Sequence, residues 1–306
     1  MRSSKKSPVL PKPNYLQRIN CVLDYIYADL KRPLQLVQLA ELADLSPFHF
    51  HRVFQAMVGE TPNEFVKRLR LERALYLMSF GKAKSMTTIA LDCGFGSSSD
   101  FTRSFKQRYG VAPSKFDMQA WQDQHGQRID EAAQQSPLKL AKPAPRANPD
   151  QFRVKVVELP SRSVAYIRVS NPYQGDAVVQ AARRLVDWAE SKDFADSQWL
   201  GYQFESPRVT ALEHCHYCAA VEVDVEFKPK DEVGFYRFPK MTVAEVEMRG
   251  GIDLEIRLLQ WLYGSWLPRS KYVPDDHPCF EAWIGKPFEH GYEHFELKIQ
   301  LPIRES

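Results

Sequence analysis

The sequence predicts a multidomain protein, in which an all-α domain of two helix-turn-helix units precedes an α+β domain of two pseudo-symmetric strand–helix–strand–strand halves. Two internal repeats support this fold class. In residues 39–116 related segments recur 50 to 51 positions apart, and in residues 159–248 they recur 79 positions apart. Since a repeat marks a duplicated structural unit, each of the two repeats predicts a domain of its own.

The composition sets the boundaries of these domains. Residues 1–14 are polar, contain three prolines and predict a flexible arm, whereas residues 15–118 hold the helical repeat. Residues 119–150 are rich in Gln, Ala and Pro, which is typical of a linker. Residues 151–306 contain segments of alternating apolar and polar side chains and are assigned to the second domain.

The helices of the first domain follow from spacing and capping residues. Apolar side chains recur at helical spacing over residues 15–30 and predict one helix, which Pro33 ends. A second helix with the small residue Ala40 on its apolar side follows. Ser46 and Pro47 then supply the N-cap and the first-turn proline of a third helix. Pro62 begins a long helix that links this unit to its repeat.

The second helix-turn-helix unit repeats the first with one extra residue. GETPNEF at residues 59–65 returns as GVAPSKF at residues 110–116, 51 positions later. LAELADL at residues 39–45 returns as IALDCGF at residues 89–95, only 50 positions later. The additional residue is therefore expected in the turn between the two helices of the second unit.

The second helix of each unit is predicted to have an apolar face and a polar face. A helix-turn-helix presents this polar face to the major groove of DNA, which is wide enough for a helix. The candidates for DNA contact are Phe48, His49, His51 and Arg52 in the first unit, and Ser98, Ser99, Thr102, Arg103 and Lys106 in the second. Arg52 and Arg103 occupy equivalent places in the repeat and are the leading candidates for base or phosphate contact.

This region resembles the DNA-binding domain of AraC/XylS-type transcription regulators. The resemblance rests on LAELADLSPFHFHRVF, GETPNEFVKRLRLERALYLM and IALDCGFGSSSDFTRSFKQRYGVAPSKF, which occur in the order and spacing of that family. It implies two helix-turn-helix motifs bridged by a linker helix, with the second helix of each motif in successive segments of the major groove. The serines at 97–99 are smaller than the residues often found there, so weaker base readout is expected from the second motif.

The second domain is predicted to contain two similar halves. LPSRSVAYIRV at residues 159–169 corresponds to FPKMTVAEVEM at residues 238–248, and each segment leads into a helix and two further strands. The predicted strands are residues 152–158, 163–169, 200–205, 218–225 and 238–248 and the segments that begin at Phe280 and Phe295, and the predicted helices are residues 177–191 and 252–263.

This arrangement looks like the GyrI-like effector-binding domain that follows the DNA-binding domain in some AraC-type regulators, an order also called Rob-type. The supporting segments are VVELPSRSVAYIRVSNPYQG, WLPRSKYVPDDHPCFEAW and FELKIQLPI. The resemblance implies a pocket between the two halves, with an acidic floor and aromatic walls, which suits bulky apolar cations. Glu296 is the expected acid, with Glu293 as the alternative. The expected wall residues are Phe280, Trp283, Tyr292, Tyr166, Tyr202 and Tyr236.

The charge is distributed unevenly along the chain. Residues 1–118 contain 18 Lys and Arg against 10 Asp and Glu, whereas the remaining residues contain 23 against 28. Basic side chains contact the phosphates of nucleic acids. A basic region in front of an acidic one therefore favours a nucleic-acid-binding domain joined to a domain with another role.

The sequence does not indicate a membrane, secreted or metal-binding protein. It contains no apolar run of about 20 residues and no apolar N-terminal signal segment, and its five cysteines are scattered, so a cytoplasmic location is expected. His214, His216 and Cys218 would share a face of one strand, but no fourth ligand is evident. Neither a metal nor a cofactor is therefore expected.

The predicted function is sequence-specific transcription regulation, with activation expected rather than repression. The expected partners are double-stranded promoter DNA, RNA polymerase and a small apolar or cationic effector. No nucleophile with an adjacent base is evident, so an enzyme is not expected. Two alternatives stay open for the second domain, a small-molecule hydrolase and a protein-interaction module.

Overall fold

The computed structural model describes residues 15–79, 85–118, 120–121, 124, 148–207 and 209–305. The expected arm at residues 1–14 and most of the expected linker at residues 119–150 lie outside the described residues.

The first part of the chain is helical. Its helices are α1 (Tyr15–Ala28), α2 (Leu36–Leu42), α3 (Pro47–Val58), α4 (Pro62–Ser79), α5 (Met86–Asp92) and α6 (Ser98–Tyr109), followed by a 3-10 turn at Pro113–Lys115. A capping box begins the long helix α4, because Thr61 accepts a hydrogen bond from the backbone N–H of Glu64 and the Glu64 carboxylate accepts one from the backbone N–H of Thr61.

The sequence repeat appears as two matching helix pairs. Helices α2 and α5 each contain 7 residues, and helices α3 and α6 each contain 12. Ser46 and Ser97 cap the N-termini of α3 and α6, and a glycine in the left-handed conformation ends each of them. The turn between the paired helices is residues 43–46 in the first unit and residues 93–97 in the second. The extra residue lies in this turn, as predicted.

Buried phenylalanines hold each unit together. Phe50 and Phe54 in α3 pack edge-to-face on each other, and Phe54 packs in the same way on Phe65 of α4. Phe101 and Phe105 occupy the equivalent positions in α6, where they also pack edge-to-face. All five rings are fully buried. Since these rings take up the inner faces of α3 and α6, the polar residues between them are left on the outer faces.

The second part of the chain is an antiparallel sheet with helices packed on one of its faces. Its helices are α7 (Ala177–Glu190) and α8 (Ile252–Trp261), and α8 continues through a π turn at Leu262–Trp266 into a last turn at Leu267–Arg269. Its strands are β1 (Lys155–Leu159), β2 (Arg162–Ser170), β3 (Trp199–Gln203), β4 (His216–Val223), β5 (Gly234–Phe238), β6 (Met241–Gly250), β7 (Tyr272–Pro274), β8 (Cys279–Trp283) and β9 (Phe295–Glu305).

The strands form one sheet in the order β1-β6-β9-β8-β3-β4-β2-β5, and β7 pairs with β9 outside this path. Ala181, Leu185 and Leu258 are among the helix residues that cover one face of the sheet. The opposite face carries a second cluster that includes Tyr166 and Phe280. Because the two faces are both apolar, the inner strands β3 and β4 are nearly continuous buried runs rather than strictly alternating ones.

Helix α1 joins the helical part to the sheet through a buried polar contact. Arg168 of β2 donates to the Asp24 carboxylate at 2.5 Å and to the side-chain oxygen of Asn20 at 2.8 Å. Tyr166 donates its hydroxyl to the other oxygen of Asp24 at 2.6 Å. The side chain of Arg168 is 3% exposed, so this ion pair is shielded from water.

A second contact lies one turn further along α1. The Tyr27 hydroxyl donates to the Glu205 carboxylate, which also contacts Nδ1 of His216 at 2.8 Å. The rings of Tyr27 and Phe204 stack with their centroids 4.5 Å apart. Together the two contacts fix α1 against the sheet through charge, hydrogen bonds and ring stacking.

None of the helices within the described residues is both long enough and apolar enough to span a membrane.

Candidate nucleic-acid interface and ligand cavity

The outer face of α3 carries most of the residues predicted to contact DNA in the first unit. Phe48, His49 and Arg52 are exposed and His51 is half-buried. Phe48 is 74% exposed, although a large aromatic side chain is seldom left in water without a partner. The guanidinium of Arg52 lies 5.8 Å from the centroid of this ring. The pair presents a flat apolar surface with a positive charge beside it.

Helix α6 places the predicted residues of the second unit in the same way. Ser99, Arg103 and Lys106 are exposed, whereas Ser98 and Thr102 are half-buried. The Arg103 side chain is 79% exposed and donates to Asp100 at 2.8 Å, within its own helix. This exposed pair constrains Arg103 only weakly, because water screens it on most sides.

One predicted DNA contact is also used within the helical domain. The ring of His49 packs edge-to-face on Tyr15 of α1 with centroids 5.6 Å apart, and the Tyr15 hydroxyl lies 3.3 Å from its Nε2 atom. Tyr15 is half-buried and His49 remains exposed, so this contact orients the imidazole without removing it from the outer face of α3.

A cavity of about 390 Å³ lies where the helical part meets the sheet domain. This volume is in the range that holds small organic ligands, about 300–1,000 Å³. Helices α1 and α4 contribute Tyr27, Leu69, Glu72, Arg73 and Tyr76 to its wall. The sheet domain contributes residues that include Phe204, Glu205, Glu255, Tyr263, Asp276, Phe280 and Glu281. The cavity therefore belongs to both domains.

Two carboxyl groups, on Glu255 of α8 and Glu281 of β8, form a hydrogen-bonded pair at the cavity wall. Burial raises the pKa of Glu255 well above its usual value, and the neighbouring Glu281 raises it further. Burial also raises the pKa of Glu281, although hydrogen bonds from Tyr217 and Glu255 oppose the shift. The Tyr217 hydroxyl donates to Oε2 of Glu281 at 2.6 Å. Among the described residues, no Lys, Arg or His forms an ion pair with either carboxyl group.

A third acid, Glu72 of α4, lines the same cavity and is 4% exposed. Its Oε2 atom accepts from Arg68 at 3.0 Å and from the hydroxyl of Thr210 at 2.8 Å. Its Oε1 atom is buried and has no hydrogen-bond partner within the described part of the chain. Burial raises the pKa of Glu72 to about 7, and the ion pair with Arg68 only partly opposes this shift.

The fourth acid, Glu205, is in a different electrostatic environment. Burial alone would raise its pKa, but the neighbouring His216 and the hydrogen bonds from His216 and Tyr27 hold that pKa below its usual value. Glu205 therefore carries a negative charge that already has partners. Glu72 is likewise paired, with Arg68, so Glu255 and Glu281 are the two of these four acids that have no cationic partner among the described residues.

The structure places Glu296, the acid expected from the sequence, outside this cavity. Glu296 lies on β9 and contacts Arg249 at 3.4 Å, with His290 and His294 at 3.9 Å and 3.8 Å from one of its oxygens. The alternative, Glu293, is exposed in the turn before β9.

Of the expected aromatic wall residues, Phe280 lines the cavity. Tyr166, Tyr202 and Tyr236 belong with Phe280 to the cluster on one face of the sheet, and Trp283 belongs to the cluster on the other. The structure thus brings four of the six expected aromatic residues together in one packed cluster, and Tyr292 is exposed. The aromatic side chains that line the cavity beside Phe280 are Tyr27, Tyr76, Phe204 and Tyr263.

The three residues considered as metal ligands, His214, His216 and Cys218, do not share a strand. His214 ends a 3-10 turn (Leu212–His214), whereas His216 and Cys218 lie in β4. His216 is engaged by Glu205, and Cys218 is buried in the sheet. Within the described residues, no group of three or more His, Cys, Asp or Glu side chains is placed to hold a metal ion.

Sequence reasoning missed the residues that line the cavity because they come from distant segments. One signal was present: Glu281 interrupts the apolar segment CFEAW, which forms a nearly buried strand. A carboxyl group in such a strand costs free energy unless it is paired or protonated. The contribution of α4 depends on how the two domains pack, which the periodicity of the sequence does not encode.

Two family models match the chain. A helix-turn-helix domain matches residues 39–119, and the GyrI-like small molecule binding domain matches residues 152–304. The first match includes both helix pairs described above, from within α2 to beyond the 3-10 turn. The second includes almost the whole nine-stranded sheet domain.

Three similar proteins are transcription regulators by name. The probable transcriptional regulator LumQ from Photobacterium leiognathi is 32% identical over 114 residues, which are 37% of this chain and 46% of that protein. The XylDLEGF operon transcriptional activator of Pseudomonas putida is 35% identical over 95 residues, 30% of each chain. The crystal structure of a probable AraC family transcriptional regulator from Rhodopseudomonas palustris is 33% identical, with a TM-score of 0.30, and the match covers 32% of this chain and 92% of that one.

The chain spans less than half the length of the two curated relatives. The GyrI-like model, in contrast, covers half of the whole sequence. The chain therefore belongs to the family with a GyrI-like small molecule binding domain, and an AraC-type helix-turn-helix domain precedes that domain.

Proposed function

We propose that the chain is a sequence-specific DNA-binding regulator of transcription that responds to a small ligand. The observation that carries this proposal is the double helix-turn-helix, in which α3 and α6 bury their phenylalanines and leave their other faces in solvent. Such faces fit the major groove. Promoter DNA and RNA polymerase are its partners in this proposal, and its effect is activation.

The proposal assigns different work to different residues of the two helices. Arg52 and Arg103 contact bases or phosphates, and Lys106 contacts phosphate. Phe48 packs on a thymine methyl group, because an apolar ring that is 74% exposed suits that contact. His49, His51, Ser98, Ser99 and Thr102 complete the face by hydrogen bonding. With serines at the start of α6, the second motif contributes more phosphate contact than base readout.

The ligand site in this proposal is the cavity between the domains. Glu255 and Glu281 have no cationic partner among the described residues, and Arg73, the arginine of the cavity wall, is paired with Asp276. The rings of Tyr76 and Tyr263 pack edge-to-face at the cavity with centroids 6.4 Å apart. Aromatic faces and unpaired carboxyl groups both attract organic cations, so the proposed effector is a small aromatic or apolar cation.

The position of the cavity suggests how a bound ligand would affect the helices proposed to bind DNA. Helix α4 contributes to the cavity wall and also joins the two helix-turn-helix units. A ligand that contacts α4 and α8 together would favour one arrangement of these helices, and hence one arrangement of α3 and α6. Only such a difference in contacts between two arrangements can make a ligand regulate DNA binding.

We also infer that the sheet domain arose by internal duplication. Strands β1 and β5 begin 79 residues apart, and so do β2 and β6. In the sheet order, β6, β9 and β8 on one side are matched by β2, β4 and β3 on the other. This pattern supports two pseudo-symmetric halves. For the whole chain, the proposed domain boundaries lie near residues 118 and 151.

The proposal is tested by selecting fragments of genomic DNA with the purified full-length chain and sequencing those retained. The expected result is a small set of enriched sites upstream of coding regions, which Arg52→Ala depletes. A control variant, Lys192→Ala, lies beyond α7 in the sheet domain and should leave the same sites enriched. Retention of DNA without any enriched sequence would rule out sequence-specific regulation.

The carboxyl pair favours one alternative, a hydrolase in which Glu281 or Glu255 activates water. This alternative is separated from the ligand role by incubating the full-length chain with small esters and following product formation. Turnover that Glu281→Gln abolishes would favour the enzyme. Ligand binding without turnover supports the regulator.

A further inference from the structure

The carboxyl groups of Glu255 and Glu281 are hydrogen-bonded to each other, which the binding of a cation does not by itself require. Two ionised carboxylates have only acceptor atoms, so a hydrogen bond between them needs one proton on one of them. Glu255 is 5% exposed and lies in the first turn of α8, and Glu281 faces it from β8. A pair that shares a single proton carries one negative charge between its four oxygens.

The groups that face the pair from neighbouring elements are neutral. Tyr217 of β4 donates a hydrogen bond to Glu281. Tyr173, from the segment after β2, lies close enough to Glu281 to interact with it electrostatically. Cys279 of β8 is close to both carboxyl groups and is hydrogen-bonded to Tyr263. Burial raises the pKa of Tyr217, Tyr173 and Cys279, so all three remain uncharged near neutral pH.

Of the basic groups at the cavity wall, Arg73 is paired with Asp276, and within the described residues neither Arg73 nor His277 forms an ion pair with the Glu255–Glu281 pair. Gly201 of β3 lies against it so closely that a Cβ atom there would be 2.6 Å from Oε2 of Glu281. Ile299 of β9 and Leu259 of α8 are apolar. The other cavity wall adds a further acid, because Oε1 of Glu72 is buried without a hydrogen-bond partner in the described residues. One negative charge on the pair is thus uncompensated.

We propose that the Glu255–Glu281 pair exchanges its shared proton for the positive charge of a ligand. The inference rests on the proposed ligand role of the cavity and specifies its chemistry. A cation beside the pair stabilises the second carboxylate, so the proton on the pair passes to solvent water or buffer as the ligand enters. The complex then contains two carboxylates and one cation, and one proton appears in solution for each ligand bound.

This exchange makes affinity depend on pH in a definite direction. Binding releases a proton, so the dissociation constant falls as pH rises while the pair still holds that proton. The limit is about tenfold for each pH unit, because no more than one proton is exchanged per ligand. A neutral ligand of the same shape gains nothing from ionisation of the pair and should bind without this dependence.

Calorimetric titration of the full-length chain with benzyltrimethylammonium tests the exchange. This probe carries a fixed charge, so any proton released must come from the protein. Titration in two buffers of different ionisation enthalpy at each pH gives the number of protons released. The expected result near pH 7 is release of between about one half and one proton per cation, with tighter binding at higher pH.

Glu255→Gln is the matched variant, because an amide can donate a hydrogen bond to Glu281 but has no proton to release. It should still bind the cation, with proton release abolished. Glu296→Gln, outside the cavity, should behave like the unaltered chain. Infrared difference spectra supply a second measurement: a protonated carboxyl band should disappear on binding in the unaltered chain and be missing from the Glu255→Gln spectrum.

The possible failures are distinguishable. Cation binding by the unaltered chain without proton release would overturn the exchange and leave the ligand role intact. Proton release that persists in Glu255→Gln would assign the proton to another group and also overturn the exchange. No binding of the cation would remove both the exchange and the ligand role, whereas enrichment of genomic sites by the same preparation would leave DNA binding standing.

Discussion

At the residue scale, Phe48 differs in exposure from the buried phenylalanines of the helical domain. Phe48 and Phe50 are two positions apart on α3, yet the first is 74% exposed and the second is fully buried. Burial of a phenylalanine contributes several kcal/mol to folding, whereas an exposed ring contributes little. A ring kept in water on the candidate DNA-binding face fits the proposed contact with DNA.

Phe48→Ala should therefore weaken DNA binding without lowering stability. We expect no more than about 0.5 kcal/mol of change in the free energy of unfolding, because no buried surface is lost. Affinity for a selected operator should fall, with the largest effect at A·T pairs whose thymine methyl the ring contacts. Fluorescence anisotropy with a labelled operator and a thermal melt measure the two effects.

Phe50→Ala is the control for this prediction. Removal of a fully buried ring should cost about 3–5 kcal/mol of folding free energy. If Phe48→Ala destabilises the chain as much as Phe50→Ala does, the ring is structural and the proposed contact is wrong.

The residue scale also shows the limit of sequence reasoning. Phe48, Arg52 and Arg103 could be placed on an outer face because helical periodicity alone decides which side of α3 or α6 is buried. Glu281 could not be identified as the cavity acid in the same way. Its role depends on the pairing of β8 with β3 and β9 and on the approach of α8, which bring Glu255 to it from 26 positions away.

At the scale of secondary-structure elements, the helix-turn-helix repeat was the most predictable part of the fold. The offsets of 50 and 51 residues correctly placed the additional residue in the second turn, because caps and turn residues fix helix ends locally. The strand β7 and the π turn after α8 were not predicted. Both depend on contacts with distant parts of the chain, since β7 exists through its pairing with β9.

The contact between α1 and β2 yields a second prediction, which concerns domain docking. Asp24→Asn removes the charge that faces Arg168, whose side chain is 3% exposed. An unpaired buried guanidinium costs about 3–5 kcal/mol, so the docked arrangement should be destabilised by a large part of this amount. Hydrogen exchange of the α1 and β2 backbone amides reports the effect, which should appear as faster exchange.

The double variant with Asp24→Leu and Arg168→Met supplies the comparison. It removes both charges and replaces them with apolar side chains of similar size, which is often tolerated in buried sites. Exchange close to that of the unaltered chain is expected. If the α1 and β2 amides of Asp24→Asn exchange as slowly as those of the unaltered chain, the ion pair does not hold α1 in place.

Helix α4 yields a third prediction, from the pKa of Glu72. That pKa is raised from 4.5 to about 7 in the folded chain, so folding favours the protonated form. The contribution of Glu72 to stability is therefore fully present below pH 4.5 and is lost as pH rises through about 7. Glu72→Gln removes this titration. Between pH 5 and 8, a range that covers most of the interval from 4.5 to about 7, the stability of this variant relative to the unaltered chain should therefore increase with pH.

The difference in melting temperature between the two chains, measured across this pH range, checks the prediction. Glu247→Gln is the control, because its side chain is 51% exposed on β6 and should show no comparable trend. A difference between Glu72→Gln and the unaltered chain that stays constant with pH would mean that Glu72 does not titrate in this range.

At the scale of the whole molecule, contacts connect the sheet domain, which forms part of the cavity, to the helical part that carries the candidate DNA-binding faces. The sheet domain contacts α1 through Arg168 and Glu205 and contacts α4 through Thr210 and Asp276. These two helices pack on the first and second helix-turn-helix units. In the proposed function, occupation of the cavity changes the separation or orientation of α3 and α6 without any ligand contact to either.

The central claim is that α3 and α6 bind neighbouring major-groove segments on one side of a duplex. Hydroxyl-radical footprinting of a selected operator tests it most directly. The account predicts two protected stretches on the same side of the DNA, about one helical turn apart, with Arg52→Ala weakening one stretch and Arg103→Ala the other. A single protected stretch, or loss of the same stretch in both variants, would contradict it.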